Sequence, residues 1–153
     1  MLFRSALGVG DFEAVVADAE RRGLDRALTE STAADLAALA DAARYARRPE
    51  VASRALSAQR TRYPGSTQAR DAAFFLGGLA EGQKSDAAAL DWYDIYLGEN
   101  PDGAYASQAL GRKMMLLQRL RGAASARAVA AEYLARFPEG PYAGSASKLL
   151  STR

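Results

Sequence analysis

The sequence predicts an all-α protein built as a stack of antiparallel helix pairs. Three observations carry this. Ala makes up roughly a quarter of the chain, and Leu, Arg and Glu are common; all are strong helix formers, whereas Ile95 is the single Ile and Val is sparse, so strands are poorly supplied. Pro64, Pro101 and Pro138 recur 37 residues apart, in "RYPGSTQARDAAFF", "ENPDGAYASQALGR" and "RFPEGPYAGSASKL". A fixed period of about 20–50 residues is the mark of a stacked repeat. Small residues keep the same period: Ala69 and Ala72, Ala106 and Ala109, Ala143 and Ala146 follow the prolines, and Ala52, Ala89 and Ala126 precede them. Small side chains let neighbouring helices approach closely.

Each element follows from this frame. "VGDFEAVVADAERRG" predicts a helix over about 11–22, the second helix of a partial repeat spanning 1–30. Residues 23–30, "GLDRALTE", lack the closing proline and are assigned to no helix. Repeat 31–65 pairs a helix at 31–45, capped by Ser31 or Thr32, with one at 49–62 that carries Pro49 in its first turn. Repeat 66–102 pairs helices at 66–81 and 86–98 across "EGQKSD", and repeat 103–139 pairs helices at 103–120 and 123–136 across "LRGAA". A terminal capping helix occupies 140–151. No pair buries its own apolar face, so the pairs must stack, giving a single domain of about 3.5 repeats. The chain opens inside a repeat and is expected to be a fragment of a longer protein.

Composition excludes much chemistry. Net charge is +2, too small to argue for nucleic acid, and no nucleic-acid partner is expected. The chain has no Cys and no His, which removes disulfides, thiolate zinc sites, imidazole bases and most transition-metal sites. No cofactor, metal or catalytic residue is expected. No apolar run approaches the ~20 residues of a membrane span, so this segment is not expected to insert. The start, "MLFRSALGVGDFE", has too short an apolar core for a signal peptide.

Several motifs invite sharper readings, and each has a structural one that wins. "GVGDFE" at 8–13 lacks the third Gly and the preceding strand of a nucleotide loop, and reads as a helix–helix turn. Ser145 and Lys148 have Ser-x-x-Lys spacing without its companion motifs. Asp91 and Asp94 share a helix face but have no third ligand, and read as solvated. In "DWYDIYL", Tyr93 and Tyr96 read as core, with Trp92 partly exposed. The Arg run between Arg44 and Arg62 sits on two helices that the repeat already explains, rather than on a DNA-reading turn. "NPDG" at 100–103 looks like an anion-cradling turn, but its counterparts "YPGS" and "FPEG" differ where such a site needs fixed geometry.

The segments "LADAARY", "FLGGLAE", "GDFEAV" and "YLARFP" resemble the tetratricopeptide (TPR) repeat. Leu39-Ala40 and Leu76-Gly77 match its Leu–small pair, and Gly10-Asp11-Phe12 its second-helix start; Ala52, Ala89 and Ala126 match its second-helix small residue, and the three prolines its close. The period is three residues longer than the usual 34, and the landmarks place the excess just after proline, as about one helical turn holding Tyr105 and Tyr142. This long form resembles the envelope TPR proteins related to BamD and CpoB. "YLARFPEGPYAGSASKLL" is similar to the helical C-terminal region of bacterial FecR-type regulators.

The resemblance implies a right-handed α-α superhelix whose concave face, lined by first helices, binds a peptide or partner helix. The implied function is a non-catalytic interaction scaffold, the C-terminal module of an envelope-associated signalling or assembly protein. The implied setting is periplasmic or envelope-associated, with the cytoplasm as alternative. Carried across by register, the groove positions are Asp41, Arg44, Asp71, Phe74, Glu81, Gln108, Met115 and Gln118. Phe74 and Met115 are expected as exposed apolar anchors. The competing expectation is a self-association module, a possible homo-oligomer, whose groove is covered by its own chain or another copy.

Overall fold

The computed structural model describes residues 11–151, so Gly10 and the front of the "GVGDFE" stretch lie outside the described residues. The described residues form nine helices and no strand. Two compact units divide the chain, Met1–Phe75 and Leu76–Arg153.

In the first unit, α1 (Phe12–Arg21) starts where the Asp11 carboxylate accepts the Ala14 N–H at 3.0 Å, and it buries Val15, Val16 and Ala19. Gly23, at φ 94°, turns the chain into α2 (Leu24–Glu30), which buries Leu28. This seven-residue helix was not expected from the sequence. With no proline to stop it, the segment continues helically, and Arg26 pairs with Glu30 one turn on at 2.8 Å.

Helix α3 (Ala33–Tyr45) is capped by Thr32, whose hydroxyl accepts the Asp35 N–H at 3.1 Å. It packs on α1 and on α4 (Pro49–Arg62), where Pro49 takes the first position. Arg62 and Tyr63 at the end of α4 reach back to the Leu28 and Ser31 carbonyls, at 2.7 and 3.0 Å. Helix α5 (Thr67–Gly82) begins in this unit. Its start is capped by the Ser66 hydroxyl, which accepts the Ala69 N–H at 3.1 Å.

The second unit holds the end of α5 together with α6 (Asp86–Glu99), α7 (Ala106–Arg121), α8 (Ala123–Arg136) and α9 (Ala143–Ser151), each of the last three packed on its predecessor. Its core is Tyr93, Tyr96, Leu110, Met114, Leu116 and Tyr133, with Ala89, Ala109, Ala126, Ala130 and Ala146 between them. Tyr93 and Tyr96 are fully buried, as their register predicts, and Trp92 is half-buried.

The added residues after proline are not helical in this unit, contrary to expectation. Residues 101–105 and 138–142 form two successive tight turns, in which the Gly103 and Ala106 N–H groups donate to Asn100 and Gly103, and those of Gly140 and Ala143 to Phe137 and Gly140. The cause is a buried phenol. Tyr96 Oη accepts the Tyr105 N–H at 2.9 Å, and Tyr133 Oη accepts the Tyr142 N–H at 3.1 Å. These amides are held by a side chain instead of a helical carbonyl, so the helices start only at Ala106 and Ala143. Gly103 and Gly140 pass directly under the phenol oxygens, where any Cβ would collide. The first joint has Gln59 where the others have tyrosine and Ser66 where they have glycine, and there the helix starts at Thr67.

Candidate interaction surface

The positions selected by register fall in both units, and each unit shows its own arrangement. In the first, Asp41 and Arg44 stand one turn apart on α3, with the guanidinium donating to the carboxylate at 3.0 Å. Arg44 also lies 3.6 Å from the Phe75 ring centroid, a close cation–π contact. Burial raises the Asp41 carboxyl above its ordinary value, opposed by the Arg44 charge. Asp71, on α5, is raised by burial alone.

Phe74 is not an exposed anchor. It is 8% exposed and meets Phe75 edge-on, with ring centroids 5.6 Å apart. The buried stripe of α5 is wider than the sequence suggests: Ala69, Ala72, Ala73, Phe74 and Leu76 are all buried. Phe75 is the aromatic that Arg44 uses. It follows Asp71 by four residues, so it shares that face, and this spacing was the available signal.

In the second unit, Glu81 at the end of α5 accepts from Arg112 on α7 at 2.9 Å. Arg112 was not selected from the sequence. Tyr93 belongs to the same group: its phenol is raised well above the ordinary tyrosine value, first by burial and then by the Glu81 charge. Along α7 the selected face is divided. Gln108 is exposed, while Gly111 is buried beneath the ring of Tyr142, which occupies the space a Cβ would need. One turn further on, Met115 and Gln118 line an open cleft of about 350 Å³. Its other walls are Ala123 at the start of α8 and Ser145, Lys148 and Leu149 on α9. The floor is thioether and aliphatic, the rim is amide, hydroxyl and ammonium, and among the described residues no acidic side chain lines it. The Ser-x-x-Lys pair of the sequence is therefore part of this wall, one helical turn apart.

Among the described residues no group of three acidic side chains could hold a metal ion, and no helix is long and apolar enough to cross a membrane.

No family model matches the chain, and no curated protein does. Solved structures do. The chain is similar to the nearly identical TPR-like repeats of a Podosopora anserina protein assigned to the kinesin light chains, at 13% identity and a TM-score of 0.66, over 97% of this chain and 80% of that one. A single-substitution variant of that protein matches at 12% identity with the same TM-score of 0.66 and the same coverage. The fold is thus a TPR-like helical repeat.

Proposed function

We propose that this chain is a non-catalytic interaction module that holds a peptide or partner helix, with the cleft beside Met115 and Gln118 as its anchor point. The observation that carries the reading is that cleft. Two residues chosen from the repeat register alone line a cavity with an apolar floor, a polar rim and room for one large side chain. Asp41, Arg44, Asp71, Glu81 and Gln108 supply polar groups on the remaining selected positions. The likeness of the 37-residue period to envelope TPR proteins, and of the closing motif to FecR-type regulators, supports an envelope-associated signalling or assembly role in a periplasmic setting.

One observation favours the second reading, a self-covered face: the Tyr142 ring of the chain itself lies over Gly111. On this reading only the Met115 end of α7 stays open to another molecule.

The test is selection of peptides from a displayed random library, followed by calorimetric titration against wild type and Met115→Glu. The substitution is expected to weaken binding at least ~tenfold, as for loss of a central apolar anchor. Peptides that bind both proteins equally would refute the cleft as the anchor. Circular dichroism of the variant checks that the fold is intact.

A further inference from the structure

Charge along the second unit is segregated. Residues 76–111 carry six Asp or Glu and one Lys, whereas residues 112–153 carry eight Lys or Arg and two Glu. Helix α6 has no basic residue, and α7 and α9 have no acidic one. The chain uses this polarity internally: Asp94 pairs with Lys113 at 2.7 Å, and Asp86 with Arg119 at 3.2 Å. The open cleft lies on the basic side, with Lys148 on its rim, and Arg127 reaches the Leu150 carbonyl on the same end of α9 at 3.3 Å.

A cleft with an apolar floor and a lysine on its rim fits an aliphatic side chain flanked by carboxylates. Among the described residues three large apolar side chains are exposed: Tyr45, Ile95 and Leu120. Tyr45 stands in the basic run 44–48, and Leu120 lies between Arg119 and Arg121, so both bring the wrong charge. Of the three, Ile95 has acidic neighbours and no basic residue on its own helix. It is 37% exposed on α6, with Asp94 beside it and the exposed Asp91 one turn before it on the same face. Of the other exposed positions on that helix, Ala87, Ala88 and Gly98 are small and Glu99 is acidic, which leaves Ile95 as its prominent apolar side chain.

We infer that the cleft receives α6 of a second copy of this chain, with Ile95 on the Met115–Leu149 floor and Asp91 against Lys148. This rests on the cleft being a binding surface and names its occupant. The two patches are different surfaces of one unit, so the contact is heterologous. A pair of copies leaves one cleft and one α6 unfilled, at opposite ends, and association propagates unless a ring closes. A contact made by one aliphatic anchor and a few charge pairs is small, so it is weak and sensitive to salt.

Sedimentation velocity over a concentration series up to about 1 mM, at low and high salt, tests it. The wild-type mass is expected to rise with concentration at low salt and to fall back at high salt. Ile95→Lys, Asp91→Lys and Lys148→Glu are each expected to cut association at least ~tenfold. Mixing Asp91→Lys with Lys148→Glu restores opposite charges at every contact and is expected to recover it. All three positions are solvent-facing, and thermal unfolding of each variant confirms its fold. A mass that stays monomeric throughout, or singles that associate like wild type, overturns the inference. If copies stay apart while library peptides still depend on Met115, this inference fails and the interaction-module reading stands; peptide binding that ignores Met115 sinks that reading instead.

Discussion

The Tyr133 hydroxyl accepts the backbone N–H of Tyr142 at 3.1 Å, and 37 residues earlier Tyr96 makes the same bond to Tyr105 at 2.9 Å. A buried donor that loses its acceptor costs the full desolvation of the amide. Tyr133→Phe keeps the ring and removes the acceptor, along with the 3.0 Å contact to the Ser107 hydroxyl. It is expected to destabilise the protein by about 1–2 kcal/mol. Tyr96→Phe is expected to do the same, and urea unfolding measures both.

Adjacent glycines on α5 are expected to answer oppositely to alanine. A Cβ at Gly77 would come within 2.7 Å of the buried Tyr93 ring, while one at Gly78 meets nothing within 4 Å. Gly77→Ala is expected to destabilise by about 1–3 kcal/mol, the range for overpacking a rigid core. Gly78→Ala gains helix propensity in open space and is expected to stabilise by about 0.5–1 kcal/mol. Thermal unfolding of the two variants gives the signs directly.

Tyr93 makes stability depend on alkaline pH. Its phenol is raised in the folded state by burial and by the Glu81 charge, so the unfolded chain ionises first. The contribution is whole below the unfolded value of about 10 and is lost as pH climbs above it. Wild type is expected to lose stability more steeply than Tyr93→Phe between about pH 9 and 11.5. Equal slopes in parallel denaturant series would rule this out.

Asp71 works in the acid direction. Burial raises its carboxyl, so the folded state favours the protonated form and ionisation opposes folding. That opposition is absent below the unfolded carboxyl value, near 4, and complete once pH passes the folded one. Asp71→Asn is expected to be the more stable protein at neutral pH, with the difference vanishing toward pH 3. Guanidinium melts at the two pH values check it.

Much of this was legible because it rests on periodic packing. Ala52, Ala89 and Ala126, picked only for their spacing, are all 0% exposed. Thr32 and Pro49 open their helices as capping chemistry predicts. What the sequence hid depends on single contacts across space. Nothing local says that Tyr105 N–H will meet a phenol nine residues back, so the added turn was read as helix. Phe74 and Phe75 differ by one step of about 100° on α5, and register alone points to Phe74 for exposure, although it is buried and Phe75 is the half-buried ring that meets Arg44. The ion pair of Glu81 with Arg112 joins helices 31 residues apart, and only one partner was visible in the motif. The cleft was half visible: Met115 and Gln118 came from the register, whereas Leu149 and Lys148 required the placement of α9.

The phenol latch is also a local device. Its donor and acceptor lie nine residues apart, and the glycine it requires lies between them. A stretch copied from one tyrosine joint to the next therefore carries its own connector wherever it is inserted. Such a chain can lengthen by whole-period duplication without inventing a new junction. The first joint, built on Gln59 and Ser66, has no such portability, so growth of the array has a preferred place: within the tyrosine-bearing periods.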